Sequence, residues 1–429
     1  MRVKLFSSHE ALPEIYVSAP FQIVSPVQQH ISAGVFRIAT AGGVVVVGPL
    51  PASHSPSHSP SHLPSRSPAA ASVSQKRAIL RARQLVLSGI SGQLLHLSLQ
   101  PREAPRLYRG NVSFSPASSR TSSLRGNICV GDRGAVLAVN EVDTRSYLIS
   151  CVGSEALASF APEALKAQAV ISTTLLERSA GRKSSDYLLD NTTEQSYLGA
   201  TAERPEVRNA VDKVFGQVLF YDGRPIEVFF CSTCGGMSSR PDVFGGVIKD
   251  SAYPYLREQV CNYCRNSPFF KILKSSLKPG VFAAATGLRG VKIVSSHLGR
   301  PCQVDVDVDV SGQSTDDVAQ NGRKISATAG FLPPVDRARR SKQSMTGYDF
   351  WLLLGKDFGF GFVPSTFYSI EEQKDGSLSF LSKGSGHGVG LCQWGADGMA
   401  RAGRGYKEIL QFYFPGTNLK VAGAPSLYH

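Results

Sequence analysis

Four of the eight cysteines stand in two closely spaced pairs that could bind a metal ion. Cys231 and Cys234 form one Cys-x-x-Cys unit, and Cys261 and Cys264 form the other. Because each short loop turns its two sulfurs inward, the pairs together offer the tetrahedral donor set of a structural Zn²⁺. Two disulfides are the alternative, especially outside the cytoplasm. We favour a closed four-cysteine zinc site, which leaves no open coordination position and is therefore structural.

The other four cysteines are isolated in the sequence, and such cysteines are most often small buried apolar residues. None of them is predicted to be a nucleophile, although a Cys392–His387 pair is the alternative for one position. They are Cys129, Cys151, Cys302 and Cys392.

Glycine occupies alternate positions from Gly384 to Gly390, which lets the backbone approach a ligand or another backbone closely. His387 lies within this run, and Gln393 and Trp394 follow it. An imidazole, an amide and an indole ring together suit a hydroxyl-rich sugar. Burial of Trp394 in the core is an equally weighted alternative.

Glu155 stands just before a helix predicted to run from Pro162 to about Ala180. Pro162 and Glu163 suit a first turn, and Gly181 suits the stop. A carboxylate near a helix N-terminus commonly does no more than complement the helix dipole. Taken alone, the residue types favour that structural role for Glu155.

The elements around these residues alternate between strands and helices. Strands are predicted at Val35–Ile38 and Val44–Val47 and over 79–115 and 135–142. The alternation of valine and aspartate over 304–310 predicts a strand with one apolar face. A turn at Asp222-Gly223 predicts a hairpin between strands 217–221 and 226–230.

These elements predict an α+β fold, with a small β-rich N-terminal unit and a large C-terminal domain of helices and antiparallel strands. The N-terminal unit is predicted for residues 1–49 and 77–124. Residues 50–76 between them are rich in serine, proline and histidine, so they cannot repay the entropy of ordering and are predicted to be disordered. The large C-terminal domain is predicted for residues 125–421.

Composition restricts the class of protein further. A chain of 429 residues with 42% hydrophobic and 18% charged residues is globular, and it has no run of about 20 apolar residues that predicts a membrane span. The net charge of +13 favours polyanionic partners. Nucleic acid is not favoured among them, because there is no basic helix and no RNA-type aromatic motif.

The first residues lack the pattern of a secretory signal peptide. Met1-Arg-Val-Lys-Leu-Phe6 is followed at once by polar residues, where a signal peptide has an apolar core. Unconventional export and a start further upstream are the two alternatives.

Four segments of the chain resemble the sporulation stage II D protein family, also called the amidase-enhancer domain family. The first runs from Asn140 to Val170 and contains Ser154-Glu155, where the acidic residue after serine is the family's catalytic glutamate. The resemblance covers roughly residues 125 to 420, in the family's order. The other segments are Glu194-Gln-Ser-Tyr-Leu-Gly199, Phe229-Phe-Cys-Ser-Thr-Cys-Gly-Gly236 with Tyr253-Pro-Tyr-Leu256, and Gly384 to Gly416.

The resemblance implies a lytic transglycosylase that cleaves between N-acetylmuramic acid and N-acetylglucosamine, preferentially on glycan strands stripped of stem peptides. Glu155 is then the catalytic residue, and Tyr255, His387 and Gln195 are candidates for orienting the substrate or the glutamate. Peptidoglycan glycan strands are the expected partner, joined by a wall amidase or a division or sporulation complex. The expected location is the cell envelope or periplasm, and no organic cofactor is expected.

Two departures from the family pattern bear on these expectations. Ser172-Thr-Thr-Leu175 replaces the Ala-Arg-Thr-Tyr of many relatives, so any role of that arginine or tyrosine is absent. Cys231 stands where some relatives have a zinc-binding histidine, and the second cysteine pair then supplies the missing ligands.

One carboxyl group is enough for the implied reaction. A hydrolase normally needs two carboxylates, whereas a transglycosylase can use one as acid and then as base. The main alternative is a non-catalytic wall-binding module that recruits or stimulates an amidase. A zinc-stabilised nucleic-acid binder is a more distant one.

Overall fold

The protein is described by a computed structural model over residues 1–9, 12–18, 20–32, 34–50, 80–117, 134–180, 187–192, 194–245, 252–310 and 339–422. The predicted disorder of residues 50–76 falls outside these residues except at residue 50, and Cys129 also lies outside them. The chain divides into two units, of which the first comprises Met1–Ala158, Ser179–Gly216 and Ala422–His429. The second comprises Ser159–Arg178 and Gln217–Val421.

The first unit is built mainly from antiparallel strands. The strands are β1 (Arg2–Lys4), β2 (Glu14–Ser18), β3 (Phe21–Ser25), β4 (Gln29–Ile31), β5 (Val35–Ala41), β6 (Val44–Pro49), β7 (Leu80–Ala82), β8 (Leu85–Ser88), β9 (Leu95–Ser98), β10 (Arg106–Tyr108), β11 (Asn111–Pro116), β12 (Val136–Glu141) and β13 (Leu188–Leu189). Among the described residues one sheet has the order β13-β1-β12-β11-β8-β3-β4 and another the order β10-β9-β2-β5-β6-β7. Burial alternates along β5, where Phe36, Ile38 and Thr40 are buried, as expected for strands with one face on a core.

Helix α1 (Thr144–Glu155) follows β12 in the first unit, and Glu155 is its last residue. Asp143 caps its start by accepting a hydrogen bond from the Ser146 backbone N–H at 2.8 Å. A 3₁₀ turn (Gly199–Ala202) and helix α3 (Pro205–Val214) complete this part of the unit.

The second unit contains helix α2 (Pro162–Ala180) up to Arg178, and every residue of α2 from Ala167 to Thr174 is buried. Its other helices are α4 (Val281–Thr286), α5 (Gly347–Phe358), α6 (Gln393–Arg401) and α7 (Tyr406–Tyr413). Its strands are β14 (Gln217–Tyr221), β15 (Arg224–Pro225), β16 (Phe230–Cys231), β17 (Leu273–Leu277), β18 (Leu288–His297), β19 (Arg300–Val310), β20 (Arg339–Thr346), β21 (Tyr368–Glu372), β22 (Leu378–Ser382), β23 (Leu391–Cys392) and β24 (Asn418–Val421).

These strands form small separate sheets. In the described part of the chain their orders are β15-β14-β24, β16-β23, β17-β22-β21 and β18-β19-β20. Val304 and Val306 of β19 form a buried core with Phe350 and Leu354 of α5, as the alternating valines predict. No helix in the described ranges has the length and apolar character needed to cross a membrane.

The α+β fold is confirmed, and two predictions differ from the structure. The hairpin after β14 is shorter than predicted, because β15 ends at Pro225 and Phe230 belongs instead to β16, which pairs with β23. The division into units also differs, because β12 pairs with β1 and β11 and thereby joins the start of the predicted C-terminal domain to the N-terminal strands.

Candidate active site and metal centre

Glu155 ends one helix instead of standing at the start of the next. The sequence alternative, in which it complements a helix N-terminus, is therefore wrong: α2 begins only at Pro162, and the dipole at the end of α1 disfavours a negative charge. The Arg204 guanidinium satisfies this helix end by donating to the carbonyl oxygens of Gly153 at 3.0 Å and Ala156 at 2.8 Å. The position of Glu155 thus favours a neutral carboxyl group.

The Glu155 side chain is partly buried and accepts a hydrogen bond from the Ser196 backbone N–H, with 2.9 Å between Oε1 and N. Burial raises the pKa of Glu155, and the hydrogen bond from Ser196 lowers it by less, so the net shift is upward. A carboxyl group of this kind keeps its proton at a higher pH than an exposed one. This is the property that a general acid needs.

The segment that supplies Ser196 is docked against α1 by its aromatic side chain. The Tyr197 ring stacks on Tyr147 of α1 with 5.4 Å between ring centroids, and its hydroxyl donates to Asn140 Oδ1 at 2.5 Å. The Leu198 N–H donates to Ser150 Oγ at 3.2 Å. Segments 140–170 and 194–199, which resemble the family at separate places in the sequence, therefore meet at Glu155.

Gln195 and Glu194, which precede Ser196 in this segment, are both shielded from solvent to some extent. Gln195, predicted to orient substrate, is 3% exposed and therefore contributes to the packing of the segment. Glu194 is partly buried and accepts from the Leu189 N–H at 2.9 Å, and burial raises its pKa. Sequence reasoning did not single out Glu194, although it belongs to the resembling segment.

Four buried cysteines of the second unit bring their sulfur atoms within 4.8 Å of one another, namely Cys234, Cys261, Cys264 and Cys392. The sulfurs of Cys234 and Cys264 lie 3.7 Å apart. A tetrahedral zinc with Zn–S bonds of about 2.3 Å places its sulfurs about 3.8 Å apart, so the donor set fits this ion. All described cysteines carry free thiols.

This group of four sulfurs differs from the predicted metal-binding set at a single position, because Cys392 takes the place of Cys231. Strands β16 and β23 pair in parallel with Cys231 opposite Cys392, so both cysteines reach the same region. The Cys392 sulfur also caps α6 by accepting from the Gly395 N–H at 3.3 Å, and it accepts from the Cys234 N–H at 3.2 Å. Sequence spacing could not find this residue, since it lies 158 positions from Cys234.

The remaining isolated cysteines differ from one another. Cys151 is buried as predicted, whereas Cys302 is exposed. The prediction of burial is therefore wrong for Cys302.

His387 lies in the second unit between two aromatic rings, with centroid distances of 6.0 Å to Phe229 and 5.2 Å to Phe244. Its Nδ1 accepts from the Val389 N–H at 3.1 Å. Burial, followed by the charge of Arg300, lowers the pKa of His387 to about 4. The imidazole is therefore neutral at neutral pH.

The other predicted substrate-orienting residues have different surroundings. The buried Tyr255 hydroxyl accepts from the Glu227 N–H at 2.9 Å, and burial raises the pKa of Tyr255 to about 12. Gln393 is 8% exposed, and its Nε2 donates to Gln168 at 3.3 Å. Trp394 keeps part of its surface accessible and packs edge-to-face on Phe160 at 5.3 Å.

The two units divide the predicted site residues between them. Glu155 and Gln195 belong to the first unit. The second unit holds Tyr255, His387, Gln393, Trp394 and the cysteine cluster.

Comparison with known proteins gives consistent matches. The sequence profile of a family described as Stage II sporulation protein matches residues 132–221, which include Glu155. An uncharacterised protein of Brachyspira hyodysenteriae is 30% identical over 293 residues, or 66% of this chain and 68% of that protein. Stage II sporulation protein D of Bacillus subtilis is 28% identical over 337 residues, or 73% of this chain and 85% of that protein. The amidase enhancer of Bacillus subtilis is 26% identical over 291 residues, or 62% of this chain and 39% of that protein.

Proposed function

Because this chain belongs to the stage II sporulation protein D family, we propose that it is a peptidoglycan lytic transglycosylase with Glu155 as its catalytic residue. Family membership supports a cell-wall-related role, and the state of Glu155 supports the reaction. The substrate class is glycan strands, cleaved between N-acetylmuramic acid and N-acetylglucosamine. Strands stripped of stem peptides are the preferred form.

The observation that carries the proposal is the partly buried Glu155 carboxyl group, whose pKa burial raises. In its protonated form it donates a proton to the glycosidic oxygen as the bond to the muramic C1 breaks. The resulting carboxylate then takes the proton of the muramic 6-hydroxyl while that oxygen closes a 1,6-anhydro ring on C1. One carboxyl group is therefore regenerated in its acid form at each turnover, without a second carboxylate or a water.

Digestion of denuded glycan strands with the purified protein tests the reaction. Mass spectrometry should find new chain ends that carry 1,6-anhydro-N-acetylmuramic acid. Ends with a free reducing sugar would instead identify a hydrolase, and an unchanged substrate would overturn the enzymatic proposal.

Glu155→Gln tests the residue, because glutamine keeps the shape of the side chain but cannot deliver a proton. The variant should bind glycan like the wild type and cut it about 10²–10⁴-fold more slowly. Glu206→Gln is the matched control, since Glu206 is an exposed carboxylate on α3 of the same unit and should be dispensable. Full activity of Glu155→Gln would remove Glu155 from the mechanism.

A non-catalytic role is the second candidate, and the similarity to a protein named amidase enhancer favours it. In this case the protein binds wall glycan and stimulates an amidase without cutting the strand. Sedimentation with purified wall and an amidase assay with and without the protein distinguish the two roles. The non-catalytic role would be supported if Glu155→Gln stimulated the amidase as well as the wild type and if the wild type produced no anhydro ends.

The cysteine cluster is a structural zinc site in this proposal. Cys234, Cys261, Cys264 and Cys392 would hold the ion, and a closed set of four thiolates gives it no part in the chemical step. Elemental analysis should find one zinc per chain, and Cys392→Ser should lose it while Cys231→Ser keeps it. If Cys231→Ser lost zinc and Cys392→Ser kept it, the ligands would be the set predicted from sequence, with Cys231 in place of Cys392. Disulfides in place of zinc would overturn the metal site.

The proposed location is the cell envelope or periplasm, where the glycan substrate lies. A wall amidase, or a division or sporulation complex, is the proposed protein partner. Nucleic-acid binding is not part of the proposal, and steep loss of DNA or RNA affinity with added salt would argue for it.

A further inference from the structure

Arg300 is a buried cation at the first position of β19. It is 4% exposed, and its guanidinium makes three hydrogen bonds to neutral oxygen atoms. Nη1 donates to Thr366 Oγ1 at 2.6 Å, and Nη2 donates to the carbonyl oxygens of Cys234 at 2.8 Å and Met237 at 3.1 Å. Both terminal nitrogens of Arg300 thus have hydrogen-bond acceptors, but these bonds do not neutralise its charge.

The cysteines beside Arg300 are the candidate source of compensating negative charge, since its Nη2 donates to the Cys234 carbonyl oxygen. Among the described residues, no carboxylate lies within 4 Å of its guanidinium nitrogens. Burial lowers the pKa of Arg300, whereas negative charge on the sulfurs of Cys231, Cys234 and Cys392 raises it. A buried charge without a counter-charge is costly, so this site requires a compensating anion.

The same guanidinium also contacts the loop that carries His387. The Thr366 hydroxyl, which accepts from Arg300, donates to the His387 carbonyl oxygen at 3.1 Å. Gly388 leaves room for the guanidinium, since a Cβ there would lie 2.4 Å from Arg300 Nη2. Arg300 therefore joins the Cys234 loop and the His387 loop through one rigid, forked group.

We infer that Arg300 is a positioning residue that supplies the counter-charge of a tetrathiolate metal site and ties this site to the His387 loop. Zinc bound by four thiolates carries a net charge of about −2, so a buried guanidinium beside it offsets part of the excess. Four neutral thiols would leave the same guanidinium without a counter-charge. Metal binding and the placement of Arg300 therefore stabilise each other, an inference that rests on the proposed zinc site.

Zinc affinity of the full-length reduced protein tests the inference, measured by competition with a chromogenic chelator. Arg300→Met removes the charge but keeps much of the side-chain volume, and it should weaken zinc binding about 10–100-fold. Arg300→Lys keeps a charge and should restore most of that loss. Arg145→Met is the matched control, because Arg145 forms an exposed ion pair with Asp212 in the other unit, and it should bind zinc like the wild type.

Thr366→Val distinguishes the charge of Arg300 from its hydrogen bond to Thr366, which links it to the His387 loop. The variant also provides a test if Arg300→Met does not fold. This variant loses one acceptor of Arg300 but leaves its charge, so zinc affinity should stay within about threefold of the wild type. The counter-charge would be overturned if Thr366→Val lost as much zinc affinity as Arg300→Met. It would also be overturned if Arg300→Lys bound zinc no better than Arg300→Met, since Arg300 would then act through its hydrogen bonds alone. Equal affinity of Arg300→Met and wild type would do the same. Wild-type protein without zinc would overturn the metal proposal itself, whereas a failed glycan digest would leave this inference standing.

Discussion

Glu155 is a single carboxyl group with opposing influences on its charge. Partial burial and the carbonyl end of α1 disfavour the carboxylate, while the Ser196 N–H favours it. The net upward shift in pKa means that ionisation of Glu155 opposes folding. Such a cost is common where a residue is placed for chemistry instead of stability.

The difference in stability between the wild type and Glu155→Gln should therefore depend on pH. Since the folded-state pKa is raised, the stabilising effect of the protonated form is complete below the unfolded pKa, about 4.3, and is lost as pH rises through the folded pKa. Wild type and variant should have similar Tm values near pH 3, and the variant should have the higher Tm at neutral pH. Calorimetry across this range checks the prediction, and a neutral-pH Tm that is lower in the variant would contradict it.

The pH dependence of cutting follows from the same group. Because the free enzyme must hold the proton, kcat/KM should fall as pH rises through the raised pKa of Glu155. His387 should not contribute between pH 5 and 8, since its pKa is lowered to about 4. Initial rates on soluble denuded glycan give the profile, and a rise in kcat/KM across this range would contradict an acid role for Glu155.

The end of helix α1 is positioned by close packing at Gly153, which has no side chain. Gly153 packs on the 3₁₀ turn at Ala202, where an added Cβ would lie 2.1 Å from the Ala202 carbonyl oxygen. Arg204 holds the carbonyl groups of this helix end from the same segment. The direction in which Glu155 points therefore depends on a contact that tolerates only glycine.

Gly153→Ala should destabilise the protein by about 1–3 kcal/mol through overpacking, and it should reduce cutting because Glu155 lies two residues further along the helix. Gly48→Ala is the control in the same unit, since a Cβ there meets no atom within 4 Å. Urea unfolding and the glycan assay measure both effects. A Gly153→Ala variant as stable and active as Gly48→Ala would show that the helix end can move without consequence.

Individual elements could be predicted where local patterns are strong. The bounds of α2 follow from its proline start and apolar run, and β14 and β19 follow from alternation and turn residues. The second strand of the predicted hairpin differs, because Phe230 pairs in parallel with Leu391, a partner far along the sequence. For the same reason Cys392 could not be assigned to the proposed metal site from spacing, whereas Cys234, Cys261 and Cys264 could.

The predicted domain boundary near residue 125 separates strands that pair with each other. Strand β12 lies between β1 and β11, so the strand that leads into α1 depends on the N-terminal residues. The resemblance to a family shows where the family's motifs lie in the sequence. It does not show which strands outside those motifs pair with them.

A fragment of residues 125–421 should therefore lose the structure around Glu155. Without β1 and β11, β12 has no partner strand, and α1 loses the sheet from which it starts. Hydrogen exchange should be more than about tenfold faster in α1 than in the full chain, while β18 and β19 stay protected. Equal protection of α1 in both proteins would show that the N-terminal strands are dispensable for it.

Helix α2 also imposes an order on folding during synthesis. The Asp397 carboxylate accepts from the Ala161 N–H just before α2, and the Gln393 side chain donates to Gln168 within it. These partners leave the ribosome 236 and 225 residues after the groups they bind. A nascent chain must therefore hold helix α2 without these two partners until translation is nearly complete, although residues 167–174 are all buried in the folded protein. This makes the helix a natural client for a chaperone.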